Sequence, residues 1–401
     1  MKILVINSGS SSIKFRLYHA EESGEIKEIA KGIVERIGEE ISYVKYSSVN
    51  GDIRYDVKVR DHEEGLSLVL KVLTDKEKGV IENPDEIAGV GHRVVHGGDE
   101  ISEPVIIDEH VEKVIEKFSR MAPLHNPANL LGIRAAKKVF PKAVHVAVFD
   151  TAFHATLPEE AYLYAIPYEY YEKYRIRRYG FHGTSHMYVA HKAAEILGKP
   201  IEELKIITCH LGNGASVAAV KYGKSIETSM GLTPLEGLVM GTRSGDIDPA
   251  IFYFLAKWEN LSADEVYDLL NKKSGVLGLS GMTNDIRVLA EEYLKGNPNA
   301  TRALKVYAHR VKKYIGAYMA ILNGVDAIVF TAGVGENSSI MRELILSDMD
   351  NLGIKLDKER NENPQKYGWI VSADDSKVKV LVIPTNEELV IARETLKRII
   401  K

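Results

Sequence analysis

Apolar residues fall along this chain in two rhythms, one that suits strands and one that suits helices. Residues 3–6 (ILVI) form a short apolar block of the kind a buried strand makes. Residues 7–12 (NSGSSS) are small and polar. Residues 13–18 (IKFRLY) then alternate apolar with polar, the period of a second strand. The chain therefore opens strand, turn, strand. Residues 25–60 keep the alternation and carry Gly32, Gly38 and Gly51, which predicts a meander continuing from this hairpin. Helical spacing first appears at 65–73. Residues 87–95 predict a strand and 105–119 a helix with Asp108 near its start. A helix over 126–140 is expected to open on Asn126 as its cap, with Pro127 at the first helical position. Residues 144–149 predict a buried strand that delivers Asp150 to its carboxyl end, where α/β proteins place ligands.

The second half repeats the opening. After a helix over 186–197, a strand at 205–211 runs into Gly212-Asn213-Gly214-Ala215-Ser216, followed by a strand at 217–221. Helices are expected over 249–258, after the capping box Ser262–Glu265, and over 298–322. A strand at 327–330 enters a third glycine turn, 331–337, that ends in a helix. A last strand spans 378–383, and residues 384–388 open a terminal helix. The fold class is α/β, and the repeat fits two related domains. Their expected extents are 1–150 plus about 384–401, and 151–383. No linker rich in Pro, Gly or Ser separates them, so they are expected to pack face to face around a cleft.

Composition narrows the setting. At 401 residues the chain exceeds one typical core. A net charge of −4 gives no general pull toward nucleic acid or anionic membranes. One cysteine, Cys209, rules out a disulfide framework and fits a reducing cytoplasm. No apolar run approaches the roughly 20 residues that span a bilayer, and the first apolar block is too short for a signal peptide. Tyr and Arg crowd residues 168–178, which superficially suggests stacking on nucleic acid. The acidic balance of the chain favours an interface or a surface patch.

Both hairpin turns are concavities of backbone N–H and hydroxyl groups, which suit phosphate oxygens. Lys14 follows the first turn and can reach the same anion. Neither GxxxxGK[ST] nor GxGxxG occurs there, and an ordinary hairpin explains one such turn alone. Two of them suggest a nucleotide gripped by its phosphates from both sides. Arg93 and Arg243 lie in glycine-containing segments and carry the rigid fork that fits planar oxyanions.

Taken together, NSGSSSIK at 7–14, the segments 91–99, 121–129 and 148–158, GFHGTSH at 180–186, HLGNGAS at 210–216, MGTRSGDIDP at 240–249, and the stretches 330–337 and 382–389 resemble the acetate kinases, the acetokinase family. The match runs in order over nearly the whole chain. The resemblance implies a duplicated ribonuclease H-like, actin-like ATPase fold. It implies Mg²⁺-dependent transfer of a phosphoryl group between ATP and acetate, giving ADP and acetyl phosphate, with Mn²⁺ as a substitute metal, in a homodimer. It assigns Arg93, Asp150, His182 and Arg243 to catalysis, with His125 and His210 as further candidates. Arg93 would take the acetate carboxylate and Arg243 the transition state. Val95, Leu124, Phe181 and Pro234 would form the methyl pocket, so propionate is expected as a poorer substrate. Nucleotide contacts are expected from Ser10, Ser12, Lys14, His210, Leu211, Gly212, Asn213, Gly214, Asp285, Ile286, Arg287, Gly333, Val334, Gly335, Glu336 and Asn337. Asn7 and Glu387 are the implied metal positions.

In this family Asp150 is conventionally the proton donor or acceptor. Acetate is already ionised at neutral pH, with a carboxyl pKa near 4, so no proton must leave the nucleophile. Asp150 is expected instead to orient Mg²⁺ or its water and to align Arg243. The rival readings are a propionate or butyrate kinase of the same fold and, in another class, an actin-like or chaperone ATPase.

Overall fold

The computed structural model describes residues 1–21, 25–123 and 125–400. Its chain divides into two compact units, residues 1–152 with 386–401, and residues 153–385. The first unit holds β1 (Lys2–Ser8), β2 (Ser12–Ala20), β3 (Ile26–Glu35), β4 (Ser42–Ser48), β5 (Gly51–Val57), β6 (Ile87–Val94), β7 (Val105–Ile106) and β8 (Val144–Phe149). They form one sheet in the order β5-β4-β3-β2-β1-β6-β8-β7. The second unit holds β9 (Lys205–Leu211), β10 (Ala215–Lys221), β11 (Lys224–Thr228), β12 (Ala327–Thr331) and β13 (Lys379–Val382), ordered β11-β10-β9-β12-β13.

One plan underlies both sheets. A central strand, β1 or β9, pairs antiparallel with the strand after its glycine turn and parallel with a later strand on its other side. The two strand orders superimpose as β3-β2-β1-β6-β8 on β11-β10-β9-β12-β13. Each turn thus sits at the carboxyl end of a central strand, beside the carboxyl end of a parallel neighbour.

Alternation along β2 to β4 sends Ile13, Phe15, Leu17, Ala30, Val34, Val44 and Tyr46 into a core against the helices His62–Leu73 and Asn126–Val139. The terminal helix Glu387–Ile399 belongs to the first unit and packs Ile391 and Ala392 on Ile3, Val5, Val146 and Val148. Gly91 of β6 permits this approach, because a Cβ there would lie 2.4 Å from Thr395 Oγ1. Gly132 does the same for the helix Asn126–Val139, where a Cβ would stand 2.1 Å from Ser8 Oγ. In the second unit the helix Gly183–Leu197 packs Val189, Ala190 and Ala193 against Ile206, Val329 and Leu381.

Two local expectations are corrected and a third is narrowed. Residues 105–119 are not one helix. Val105 and Ile106, both β-branched, pair with β8, and Asp108 caps a helix that starts at Glu109 by accepting from Val111 N. Asn126 is the first helical residue, not the cap. Its buried side chain accepts from His96 N at 3.0 Å and donates to His96 O and Ile115 O. In residues 331–337 the helix takes up nearly the whole stretch expected to turn first and end in a helix. Helix Ala332–Asn337 begins directly at the end of β12. Tyr168, Tyr170 and Tyr174 of the Tyr- and Arg-rich stretch are exposed, as a surface patch requires, while its last two arginines turn inward. The Arg177 guanidinium lies 3.7 Å from the Tyr162 ring, and Arg178 donates to Glu236 at 2.8 Å. No helix among the described residues is long and apolar enough to cross a membrane.

Candidate active site

In the first unit, parallel β6 and β8 place Arg93 and Asp150 side by side at their carboxyl ends. Arg93 Nε donates to Asp150 Oδ1 at 2.9 Å and Nη2 to Oδ2 at 2.7 Å, a two-pronged pair. Asp150 is buried. The carboxylate expected to align Arg243 therefore holds Arg93. Glu387, in the first turn of the terminal helix, comes within 3.9 Å of Arg93 Nη2. Burial works against the Arg93 charge, but the carboxylates of Asp150 and Glu387 outweigh it and raise the pKa. Burial pushes the Glu387 carboxyl up to about 7, Arg93 opposes that, and the negative charges of Asp150 and Glu388 add to it.

Asn129, which sequence reasoning missed, ties this segment to the first turn. Its Oδ1 accepts from Val95 N at 3.1 Å and its Nδ2 donates to Ser8 O at 2.8 Å. In the turn itself Gly9 N donates to Ser12 O at 2.8 Å, and Ser10 is exposed. Asn7 and Lys14 face each other across the hairpin in direct register. Val95, two residues after Arg93, is buried, and Leu124 lies outside the described residues. His125 precedes the helix Asn126–Val139 and caps it with no side-chain bond.

In the second unit, three segments meet around a hollow of about 430 Å³. It is lined by Gly212 and Asn213, by Asp285, Ile286 and Arg287, and by Gly333, Val334 and Asn337. Asn284 and Ser338 complete the wall, and both adjoin segments the sequence had marked. Asn284 Nδ2 donates to Asn213 Oδ1 at 3.1 Å, which ties two of the segments together. Asp285 and Arg287 pair with each other at 2.7 Å. Leu211 and Gly335 are buried and are not part of its lining. Glu336 does not face it with its carboxylate, which accepts from Ala332 N at 2.8 Å and Thr385 N at 3.1 Å.

Beyond the Gly212–Gly214 turn a group of histidines is held by hydroxyls. His182 Nδ1 bonds Ser216 Oγ at 2.9 Å, Ser216 Oγ meets His186 Nε2 at 2.7 Å, and His186 Nδ1 meets Thr208 Oγ1 at 2.7 Å. His182 stacks on His210 with ring centres 4.1 Å apart, and His210 Nδ1 bonds Ser185 Oγ at 2.8 Å. Burial keeps His186 well below its usual pKa and hence neutral. His182 has φ 55°, a left-handed conformation that costs a histidine energy and is retained here at a candidate site. Phe181, beside it, is buried, and its carbonyl receives a 3.0 Å bond from His154 Nε2.

Arg243 closes this side. Its Nη1 donates to Pro234 O at 3.2 Å, and no carboxylate among the described residues pairs with it. Burial lowers its pKa. Arg243 Nη1 and His182 Nε2 lie 3.4 and 3.5 Å from the point where a side chain on Gly214 would begin. A guanidinium, an imidazole and a glycine turn thus converge with positive charge in surplus, the arrangement that receives an anion.

The comparisons agree along the whole chain. The acetokinase family matches residues 2–393. The acetate kinase of Thermotoga maritima is 62% identical over 400 residues, 98% of either chain. That of Halothermothrix orenii is 57% identical over 99% of both. Among solved structures, the acetate kinase of Porphyromonas gingivalis superimposes with a TM-score of 0.92 at 46% identity, covering both chains fully. A propionate kinase from Francisella tularensis gives 0.92 at 41% identity over 99% of each chain. The chain belongs to the acetokinase family, with the duplicated α/β fold of its members, and is a kinase that passes a phosphoryl group between ATP and acetate.

Proposed function

We propose that the hollow beside Gly212–Gly214 takes the nucleotide, and that Arg243 and His182 neutralise the phosphoryl group as it transfers. The observation that carries this reading is Arg243, a half-buried cation that no carboxylate among the described residues pairs with, beside a glycine turn. Phosphoryl transfer asks a protein mainly for alignment and for positive charge, and both are built in. His186, neutral and bonded through Ser216, fixes the ring of His182.

Arg93 presents acetate, and Asp150 orients the Arg93 fork. Asp150 has both oxygens engaged by Arg93, so it is poorly disposed to act as a base, and acetate has no proton to lose. An Asp150→Asn enzyme is expected to lose activity that neither raised pH nor added external base restores. Rescue by either one would return Asp150 to the role of base. Of the residues that the family resemblance gives to the methyl group, Val95 and Phe181 are buried and apolar. One added methylene changes discrimination by only about 1–3 kcal/mol, so propionate is accepted poorly.

Mg²⁺ belongs to the same reading. The carboxyl groups of Asp150 and Glu387 share Arg93, and Glu387, its pKa raised chiefly by burial, is a carboxylate that a divalent cation would help to keep ionised. Asn7 and Glu387 would hold it. When bound, Mg²⁺ neutralises polyphosphate oxygens. We also place the enzyme in the cytoplasm, on its single buried cysteine.

A homodimer has a candidate surface. Helix Ala250–Trp258 (AIFYFLAKW) buries none of its residues, and Tyr253, Phe254 and Trp258 are exposed and packed on one another. A Trp258→Glu/Phe254→Ser chain is expected to run as a monomer by light scattering, where the parent runs as a dimer.

The experiment that tests the main reading is ADP release from Mg-ATP over a panel of formate, acetate, propionate, butyrate and glycerol. Release that depends on acetate, weakens with propionate and is absent with glycerol supports it. Release without any acid would make the protein an ATPase.

A further inference from the structure

The outward face of the β1–β5 sheet carries an unusual row of charge. Direct register aligns Asn7, Lys14, Ile33, Lys45 and Arg54 across the five strands. The next row on the same face aligns Val5, Arg16, Lys31, Ser47 and Asp52. Two pairs of like charge therefore stand directly opposite on neighbouring strands, Arg16 with Lys31 and Lys45 with Arg54. Such pairs destabilise a sheet. The first pair is relieved by Glu28, 2.6 Å from Arg16 and 3.8 Å from Lys31. The second is not. Lys45 and Arg54 are exposed, and no ion pair among the described residues reaches either one. Lys45 rests only on the Tyr43 ring, at 4.9 Å. Glu35, on the next row, is taken by the Tyr43 hydroxyl.

These rows wall a groove of about 480 Å³ with Ile33 in its floor. Five lysine and arginine side chains face two carboxylates there, Asp52 and Glu388. A chain with net charge −4 thus keeps Lys14, Lys45 and Arg54 on one sheet face with no ion pair among the described residues, beside Arg16 and Lys31, which share Glu28. The inner end of the groove is Asn7 and Lys14 at the first glycine turn. The outer end, Lys31, Lys45 and Arg54, lies beyond every residue assigned to the reaction.

We infer that this outer end is a second anion site, which takes a small molecule bearing linked phosphates. Adjacent strands lie about 4.8 Å apart, so Lys31, Lys45 and Arg54 on three successive strands offer cations at a spacing that successive phosphates of one chain can meet together. A single phosphate would reach at most one like-charge pair. A long duplex or a bilayer is a poorer match, because Asp52 and Asp56 on the edge strand β5 face whatever extends past the groove.

The test is calorimetric titration of the full chain with inorganic tripolyphosphate, in metal-free buffer at low salt. Three proteins are compared: the parent, Lys45→Thr/Arg54→Thr, and Arg243→Ala. Thr keeps strand propensity, and removing a like-charge pair leaves the apo protein at least as heat-stable as the parent. The groove variant is expected to bind at least about tenfold more weakly, Arg243→Ala as tightly as the parent, and acetate-dependent turnover of the groove variant to stay unchanged. Equal binding by the groove variant and the parent overturns the inference, as does loss of binding in Arg243→Ala or no binding to the parent. Retention of duplex DNA or anionic vesicles by Lys45 and Arg54, without tripolyphosphate binding, also overturns it.

Discussion

The two units are built to one plan, yet each holds its key arginine in the opposite way. In the first unit Arg93 is locked to Asp150 by two short bonds and sees Glu387 as well. In the second, Arg243 is half-buried with a carbonyl and a thioether sulfur, Met240 Sδ at 3.8 Å, and no carboxylate among the described residues. A neutralised arginine can orient a carboxylate without binding it tightly. A desolvated, unpaired one pulls hardest on charge that appears late, in the transition state. The surrounding turns follow suit. Serines and a lysine flank the first turn, while stacked histidines pinned by hydroxyls flank the second. Duplication supplied the geometry twice, and side-chain choice then set the two arginines apart.

The largest effect that would break this contrast is at Arg243. Arg243→Ala is expected to lower kcat by about 10³–10⁵ while KM for acetate moves little, and Arg243→Lys is expected to stay near the alanine level, because a point charge does not replace the fork. A change confined to KM would place Arg243 with the substrate instead. Next comes Arg93, whose loss leaves Asp150 buried and unpaired. Arg93→Ala is expected to cost about 3 kcal/mol of unfolding free energy, to raise KM for acetate, and to regain stability when Asp150→Ala is added. Denaturant midpoints of the single and double variants decide it.

The smallest effect concerns protons, and here the units behave alike. Burial lowers the pKa of His92 and of His145, which bond each other at 3.0 Å in the first unit, and of His186 in the second. The folded chain refuses protons that the unfolded chain accepts near pH 6.5. Stability should therefore be intact above that pH and fall as pH drops below it, by up to about 1.4 kcal/mol per histidine per pH unit. His186→Gln should flatten the fall by one histidine's share, read as the melting temperature between pH 7 and 5. An unchanged slope would mean that His186 takes up its proton without unfolding.

Most elements were readable from short-range pattern. The period of two in IKFRLY and the apolar run KIITCHL named the central hairpins, and the glycine-rich turns between their strands marked the carboxyl ends of the central strands. Failures came where a residue answers to distant partners. Asn126 reads as a cap because its type favours caps, but it is buried and clamps His96. Val105–Ile106 reads as a helix start until β8 offers a ladder beside it. Glu336 is expected among the nucleotide contacts, yet its carboxylate accepts from Ala332 N and Thr385 N.

The sequence by itself determined the strand and helix rhythm, the repeated hairpin, the two arginines and the family, because these are properties of residue type and spacing along the chain. Tertiary structure alone decided which arginine is neutralised, which histidine is fixed through Ser216, and that Lys45 stands opposite Arg54. Those depend on desolvation and on neighbours brought together by the register of strands far apart in the chain, and no local pattern encodes either.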